Sequence, residues 1–170
     1  MEAARDRDPS LRAVLVLVGT ALPIYVADQL AKAAVAAAVG LGERIDVLGD
    51  MVQLWHVRNA GAAFSLFQGA TWLFLVVSGA ALAMVAWFHV SLRGRGLWLQ
   101  AVLGMILAGA LGNLTDRLRD GYVVDFISVG IGDLRWPTFN VADSSVVLGI
   151  LILVGYLSLA DRRTGQREPA

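Results

Sequence analysis

FNVADSSVVLGILILVGYL, residues 139–157, decides the fold. From Val146 onward it is an almost unbroken apolar run, and with its flanks it approaches the roughly 20 residues an α-helix needs to cross a bilayer. At its head stands a carboxylate, Asp143, behind Asn140 and ahead of Ser144 and Ser145, all residue types that favour a helix start. A second acid, Asp125, sits upstream in YVVDFI (residues 122–127), between valine and phenylalanine. A carboxylate at a membrane boundary is costly unless it is paired, hydrated or functional. Two of them, joined by a polar loop that can fold back, suggest a pair sharing one proton.

Composition supports the membrane reading. The hydrophobic fraction is 57% and the charged fraction 16%, against roughly 45–50% and about 25% in soluble domains. Mean hydropathy is +0.65. A length of 170 residues suits one domain, here residues 1–170. Net charge is zero and no basic stripe with interleaved aromatics occurs, so nucleic acid is not an expected partner. The absence of cysteine removes disulfides, thiolate nucleophiles and Cys-based metal sites. His56 and His89 lack metalloprotease spacing, so neither a metal nor another cofactor is expected.

Working outward, four apolar spans are predicted, at about 11–39, 71–90, 97–114 and 141–160. The first, preceded by Arg5, Arg7 and Arg12, is too long for a secretory signal and is read as a retained helix. Arg93 and Arg95 lie in the short second connection, and Arg162, Arg163 and Arg167 in the tail, whereas the longer connections carry more acids than bases. This bias predicts both termini in the cytoplasm, with outward loops at about 40–70 and 115–140. Within the first loop, short alternating runs around Ile45–Leu48 and Met51–Val57 flank Gly49-Asp50, which predicts a small extracytoplasmic β-hairpin or sheet. Trp55, Trp72, Trp98 and Trp136 fall near the predicted interfaces, where indoles anchor. The fold class expected is thus an α-helical integral membrane protein with four transmembrane helices and a small β element outside.

Polar residues concentrate at the outer ends. Asp28 and Lys32 in DQLAK are spaced i, i+4, which suits an intrahelical ion pair at the outer boundary with Lys32 reaching toward water. In GNLTDR, Asn113 and Asp116 share a helical face, and Arg117 can pair with an acid or donate a fork of hydrogen bonds to a carbonyl-rich ligand. In RNAGAAFSLF, Asn59 offers a donor and an acceptor, while Gly61, Ala62 and Ala63 allow close backbone approach. Gly104, Ala108 and Gly112 form a small-residue ridge for helix packing. The bland reading makes Asp143 a cap and pairs Asp125 with Arg117. The sharper one makes the two acids a working dyad.

DQLAK, RNAGAAFSLF, GNLTDR, GYVVDFI and FNVAD, in this order and at these separations, resemble the sequence blocks of the lipoprotein signal peptidase (signal peptidase II) family, over residues 28–149. Thr115 stands where that family more often has an aliphatic residue, beside the polar cluster but not in place of a member. The resemblance implies an aspartic endopeptidase of the bacterial cytoplasmic (inner) membrane, with its active site at the outer face. It would cut prolipoproteins immediately before a diacylglyceryl-modified cysteine. By matching motifs it implies Asp125 and Asp143 as catalytic, Asn59, Asn113, Arg117 and Asn140 as substrate-binding, and Asp28, Lys32 and Asp116 as supporting. Prolipoproteins and membrane lipid are the implied partners, and a monomer is expected. Asp143, in the first turn of a helix, is the expected base, and Asp125 the expected holder of the shared proton. A transporter or proton channel would instead spread acids through the membrane depth, and a third reading is an assembly or scaffold protein with an acid-stabilised surface loop.

Overall fold

The computed structural model of the chain describes residues 9–61 and 71–165, so Ala62, Ala63, Arg5, Arg7 and Arg167 lie outside the described residues. Among these, four helices are long and apolar enough to cross a membrane. They are α1 (Pro9–Ala38), α2 (Thr71–Leu92), α3 (Leu97–Asp120) and α4 (Val141–Gly165). Four strands complete the chain: β1 (Arg44–Leu48), β2 (Val52–Asn59), β3 (Val123–Ile131) and β4 (Leu134–Arg135). They form one antiparallel sheet in the order β1-β2-β3-β4.

α3 is the hub, packed against each of the other helices. Its glycines make that possible. A Cβ on Gly104 would collide with Leu17 and Thr20 of α1, and one on Gly112 with the Asp28 carboxylate. Gly109, outside the expected ridge, lets α4 come so close that a Cβ there would strike the Ala142 carbonyl, Ser145 and Val146. Small residues matter here because lipid offers no hydrophobic drive for helix association, leaving van der Waals contact to hold the bundle. One apolar core gathers Leu17, Val85, Leu99, Leu103, Ile106 and Leu153. A second joins Val35, Val39 and Phe126 beneath the sheet, with Leu54, Ile127 and Val141 packed on it.

Two expectations need correction. α3 does not end at Leu114 but runs to Asp120, so the outward loop expected from residue 115 starts later. Beyond Leu114 the chain stays helical, with Thr115 and Asp116 turned toward Tyr25 and Lys32 of α1, and Gly121, in the left-handed conformation, closes the helix. The expected hairpin of β1 and β2 is present, and two strands from the second loop extend it into the sheet, with Val57 opposite Asp125 and Leu54 opposite Ile127. Lys32 does not reach for water. It is 3% exposed, because a second acid from α3 meets it inside the protein.

Candidate active site

α4 begins with a reciprocal cap. Asn140 is the N-cap, and its Oδ1 accepts the Asp143 N–H at 2.9 Å. Asp143 Oδ2 accepts the Asn140 N–H in return at 3.1 Å. This is the capping-box arrangement, which occupies otherwise orphaned helix N–H groups. Asp28 accepts another, the Ala142 N–H, at 2.8 Å. Asp143 is therefore part of the cap, but as its third residue and not its first, and its Oδ1 faces Asn113, which donates Nδ2 at 2.7 Å.

Asp125 arrives from β3. Its Oδ1 accepts Asn140 Nδ2 at 2.7 Å and its Oδ2 accepts Asn59 Nδ2 at 2.9 Å, from the neighbouring end of β2. Asn140 thus touches both acids, one through its side chain and the other through its backbone. The orientation of all three amides follows from their other bonds. Asn59 Oδ1 accepts the Gly61 N–H at 2.9 Å, Asn113 Oδ1 accepts Lys32 Nζ at 2.9 Å, and Asn140 Oδ1 is held by the Asp143 N–H. Each amide accordingly presents NH2, not oxygen, to a carboxylate.

Behind this layer lies the ion cluster. Lys32 Nζ sits 2.7 Å from both Asp28 Oδ2 and Asp116 Oδ2. Gln29 adds a bond to Asp116 Oδ1 at 2.9 Å; sequence reasoning assigned it no role, although it interrupts the same apolar span. Asp28 and Asp116 are buried, and carboxylates out of water need the pairing with a cation that Lys32 gives them. The cluster reaches the dyad through Asn113, which links Lys32 to Asp143.

Burial pushes the Asp125 carboxyl up to about 6, helped by the nearby Asp143 charge and opposed by the hydrogen bonds from Asn59 and Asn140 and by Lys32. The charge on Asp143 is thus near enough to Asp125 to favour the protonated form of its carboxyl.

Arg117 completes the site differently from the bland expectation. No salt bridge within 4.0 Å joins it to Asp125 or Asp143 among the described residues. Its guanidinium donates to the Asn113 carbonyl at 3.3 Å and lies 4.8 Å from the centre of the Phe74 ring. Among the described residues, no other hydrogen bond engages its fork. Gly61, at φ 94°, approaches Phe74 so closely that a Cβ could not be accommodated, which is the tight backbone approach expected of that segment.

Three clefts converge on these side chains. An outer cleft of about 410 Å³ runs past Trp55, Arg58, Asn59 and Thr138 to Asp125. A groove of about 220 Å³ between α2 and α4, floored by Gly109 and Ala110, reaches Arg117, Asn113 and Asp143. A third, of about 430 Å³ along Trp136, Phe139, Val147 and Leu148, also ends at Asp143. Trp55 walls the outer cleft, with the Arg44 guanidinium 3.8 Å above its ring. Trp72 and Trp136 stay largely exposed.

The sequence profile of the family described as Signal peptidase (SPase) II matches residues 20–159. The chain belongs to the signal peptidase II family. Among signal peptidase II relatives, the lipoprotein signal peptidase of Halothermothrix orenii is 39% identical over 136 residues, covering 80% of this chain and 90% of that one. That of Mycobacterium avium is 40% identical over 162 residues, covering 89% and 82%. Two solved structures, each described as a bacterial membrane enzyme obtained by the in meso method, share the fold. One has a TM-score of 0.75 at 28% identity, covering 93% of both chains. The other has 0.74 at 29%, covering 85% of this chain and 91% of its own.

Proposed function

We propose that this protein is a membrane aspartic endopeptidase that removes the signal peptide from prolipoproteins, cutting immediately before a cysteine that carries diacylglycerol. The observation that carries the reading is the hold of Asn140 on both Asp125 and Asp143, inside a signal peptidase II chain. Asp143 in the first turn of α4 lies where the helix dipole favours negative charge, so it serves as the general base toward a water lying between the carboxyls. Asp125, whose carboxyl is pushed up toward neutrality, keeps the shared proton and delivers it to the scissile carbonyl oxygen. Hydrolysis follows through a tetrahedral intermediate with no covalent enzyme adduct. As the C–N bond breaks, Asp143 passes the proton it took from water to the leaving nitrogen, and Asp125 recovers its proton from a hydroxyl of the intermediate.

Asn59, Asn113 and Asn140 do double duty, fixing the acids and lining the substrate path, while Arg117 offers its free N–H fork to a substrate carbonyl. Asp28, Lys32 and Asp116 hold Asn113, and through it Asp143, in place. The substrate has three arms, and three clefts meet at the dyad. The polar outer cleft suits the mature polypeptide, and the two apolar grooves suit the signal peptide and the acyl chains. In this reading residues 1–170 are one membrane-embedded domain of the bacterial inner membrane, both termini are cytoplasmic, and the dyad works at the outer face as a monomer.

The test is cleavage of a diacylglyceryl-modified precursor beside its unmodified twin by the purified protein in lipid vesicles. We expect shortening of the lipidated precursor alone, with the modified cysteine at the new N-terminus by mass spectrometry. Equal cleavage of both precursors, or of neither, would contradict the reading.

A further inference from the structure

The outer cleft is unevenly charged. Among the described residues that line it, Asp125 at the inner end is acidic, while Arg58 and Arg135 are basic. Arg135 is already engaged. Its Nη1 lies 3.1 Å from Asp50 Oδ1, its Nε donates to Ser128 Oγ at 2.8 Å, and only 8% of its side chain is exposed. Arg58 is the reverse. It is exposed, and among the described residues neither an ion pair nor a hydrogen bond engages its guanidinium. That group rests 4.7 Å from the centre of the Tyr122 ring, a contact that orients a cation without neutralising it.

A second unpaired cation adjoins the wall. Arg44 stands opposite Trp55 in the β1–β2 register with its guanidinium over the indole, and it too has no ion pair among the described residues. Acids near these arginines in the chain are turned to other partners. Glu43 accepts the Gly40 N–H at 2.7 Å, Asp46 accepts Gln53 Nε2 at 2.8 Å, and Asp120 pairs with Arg119 at 2.7 Å. The outer part of the cleft is therefore left positive, and walls of low dielectric such as its indoles concentrate that field. The charge also lies close to the chemistry. Val57 is opposite Asp125 on the β2–β3 ladder and Arg58 opposite Val124, one step on. An extended peptide advances about 3.3 Å per residue. A chain leaving the dyad along this cleft meets Arg58 within its first few residues.

We propose that Arg58 makes the outer cleft a subsite selective for acidic side chains, so that the enzyme favours precursors with aspartate or glutamate in the first residues after the modified cysteine. The preference rests on the signal peptidase reading above and adds to it a choice among substrates that the hydrolysis itself does not require. A carboxylate can take two N–H groups of one guanidinium at once, which a hydroxyl or an amide cannot match. A lysine at the same place meets Arg58 and Arg44 as like charges. Because the contact is made away from the bond being cut, it acts on ground state and transition state alike and is carried by KM.

The test uses three diacylglyceryl-modified precursors that differ only at the second and third residues of the mature chain: two aspartates, two serines or two lysines. The full-length protein and its Arg58→Glu and Arg58→Lys variants act on them in phosphatidylcholine vesicles, whose neutral surface does not sort the precursors by charge. The readout is the ratio of kcat/KM for the aspartate and lysine precursors within each enzyme, so a general loss of activity in a variant cancels. We expect the parent to favour aspartate by about 3- to 10-fold, in keeping with the small worth of a partly exposed ion pair. The ratio should shrink as ionic strength rises. Arg58→Lys should keep its direction and Arg58→Glu should invert it. The same ratio in the parent and Arg58→Glu, or a parent that favours lysine, would overturn the preference while leaving the peptidase reading in place. Cleavage of none of the three precursors by the parent would overturn both.

Discussion

Asn140 caps α4, holds Asp143 by its backbone and Asp125 by its side chain, so one residue ties the helix start to the strand. The sign of the Asp125 titration gives a first test at this scale. Below the ordinary carboxylate value of 3.8 both folded and unfolded chains carry the proton. Between there and about 6 only the folded chain does, and above it neither does. Folding therefore becomes less favourable as pH rises across that window and flat beyond it, by about 1–3 kcal/mol. The stability of the parent relative to Asp125→Asn should fall across the same window, as read by unfolding in detergent at a series of pH values. A difference that stays level or rises would show that Asp125 is not held neutral. Lys32 gives a second test. Lys32→Met strands Asp28 and Asp116 without their cation, and removing one partner of a buried pair costs about 3–5 kcal/mol. Neutralising the acids in Lys32→Met with Asp28→Asn and Asp116→Asn should recover much of that loss; no recovery would mean that the lysine contributes by packing and not by charge.

Among the elements, α3 carries the clearest contrast between what sequence could and could not tell. Its small-residue ridge and the shared face of Asn113 and Asp116 were readable from spacing alone. Its true end was not, because Asn113, Asp116 and Arg117 look like the exit of a span, and only the contacts of Asn113 and Asp116 with Lys32, and of Asn113 with Asp143, show that face turned inward. The burial of Lys32 was hidden for the same reason: its second acid lies on another helix. β4 is too short to leave any periodic trace, and Gly109 falls outside the four-residue rhythm of the ridge. The two acids, by contrast, stood out because apolar neighbours made them expensive. Gly109→Ala should lower stability by about 1–3 kcal/mol through overpacking against the start of α4, and should reduce turnover further because Asp143 moves with that turn. Gly79→Ala on α2 meets nothing within 4 Å and should leave stability level or raise it by about 1 kcal/mol. Similar melting temperatures for the two variants would show that α3 and α4 do not depend on that close approach.

At the scale of the molecule, four helices set the depth of the site and the sheet closes over it, so that polar chemistry is confined to one end of an apolar bundle. The ion cluster of Asp28, Lys32 and Asp116 ties the ends of α1 and α3 together, Asn113 and Asn140 link it to the two acids, and three clefts converge there. An acid–base pair built this way must lose its function when either member becomes an amide, while insertion and folding survive. The most direct measurement is the cleavage rate of a diacylglyceryl-modified precursor by Asp125→Asn and Asp143→Asn in vesicles, beside the parent and the double variant. Each single change should cut the rate by about 100- to 10,000-fold, and the double variant should be little worse than either, because the two carboxyls act as one unit. Near-parental cleavage by either single variant would remove that residue from the dyad and contradict the mechanism.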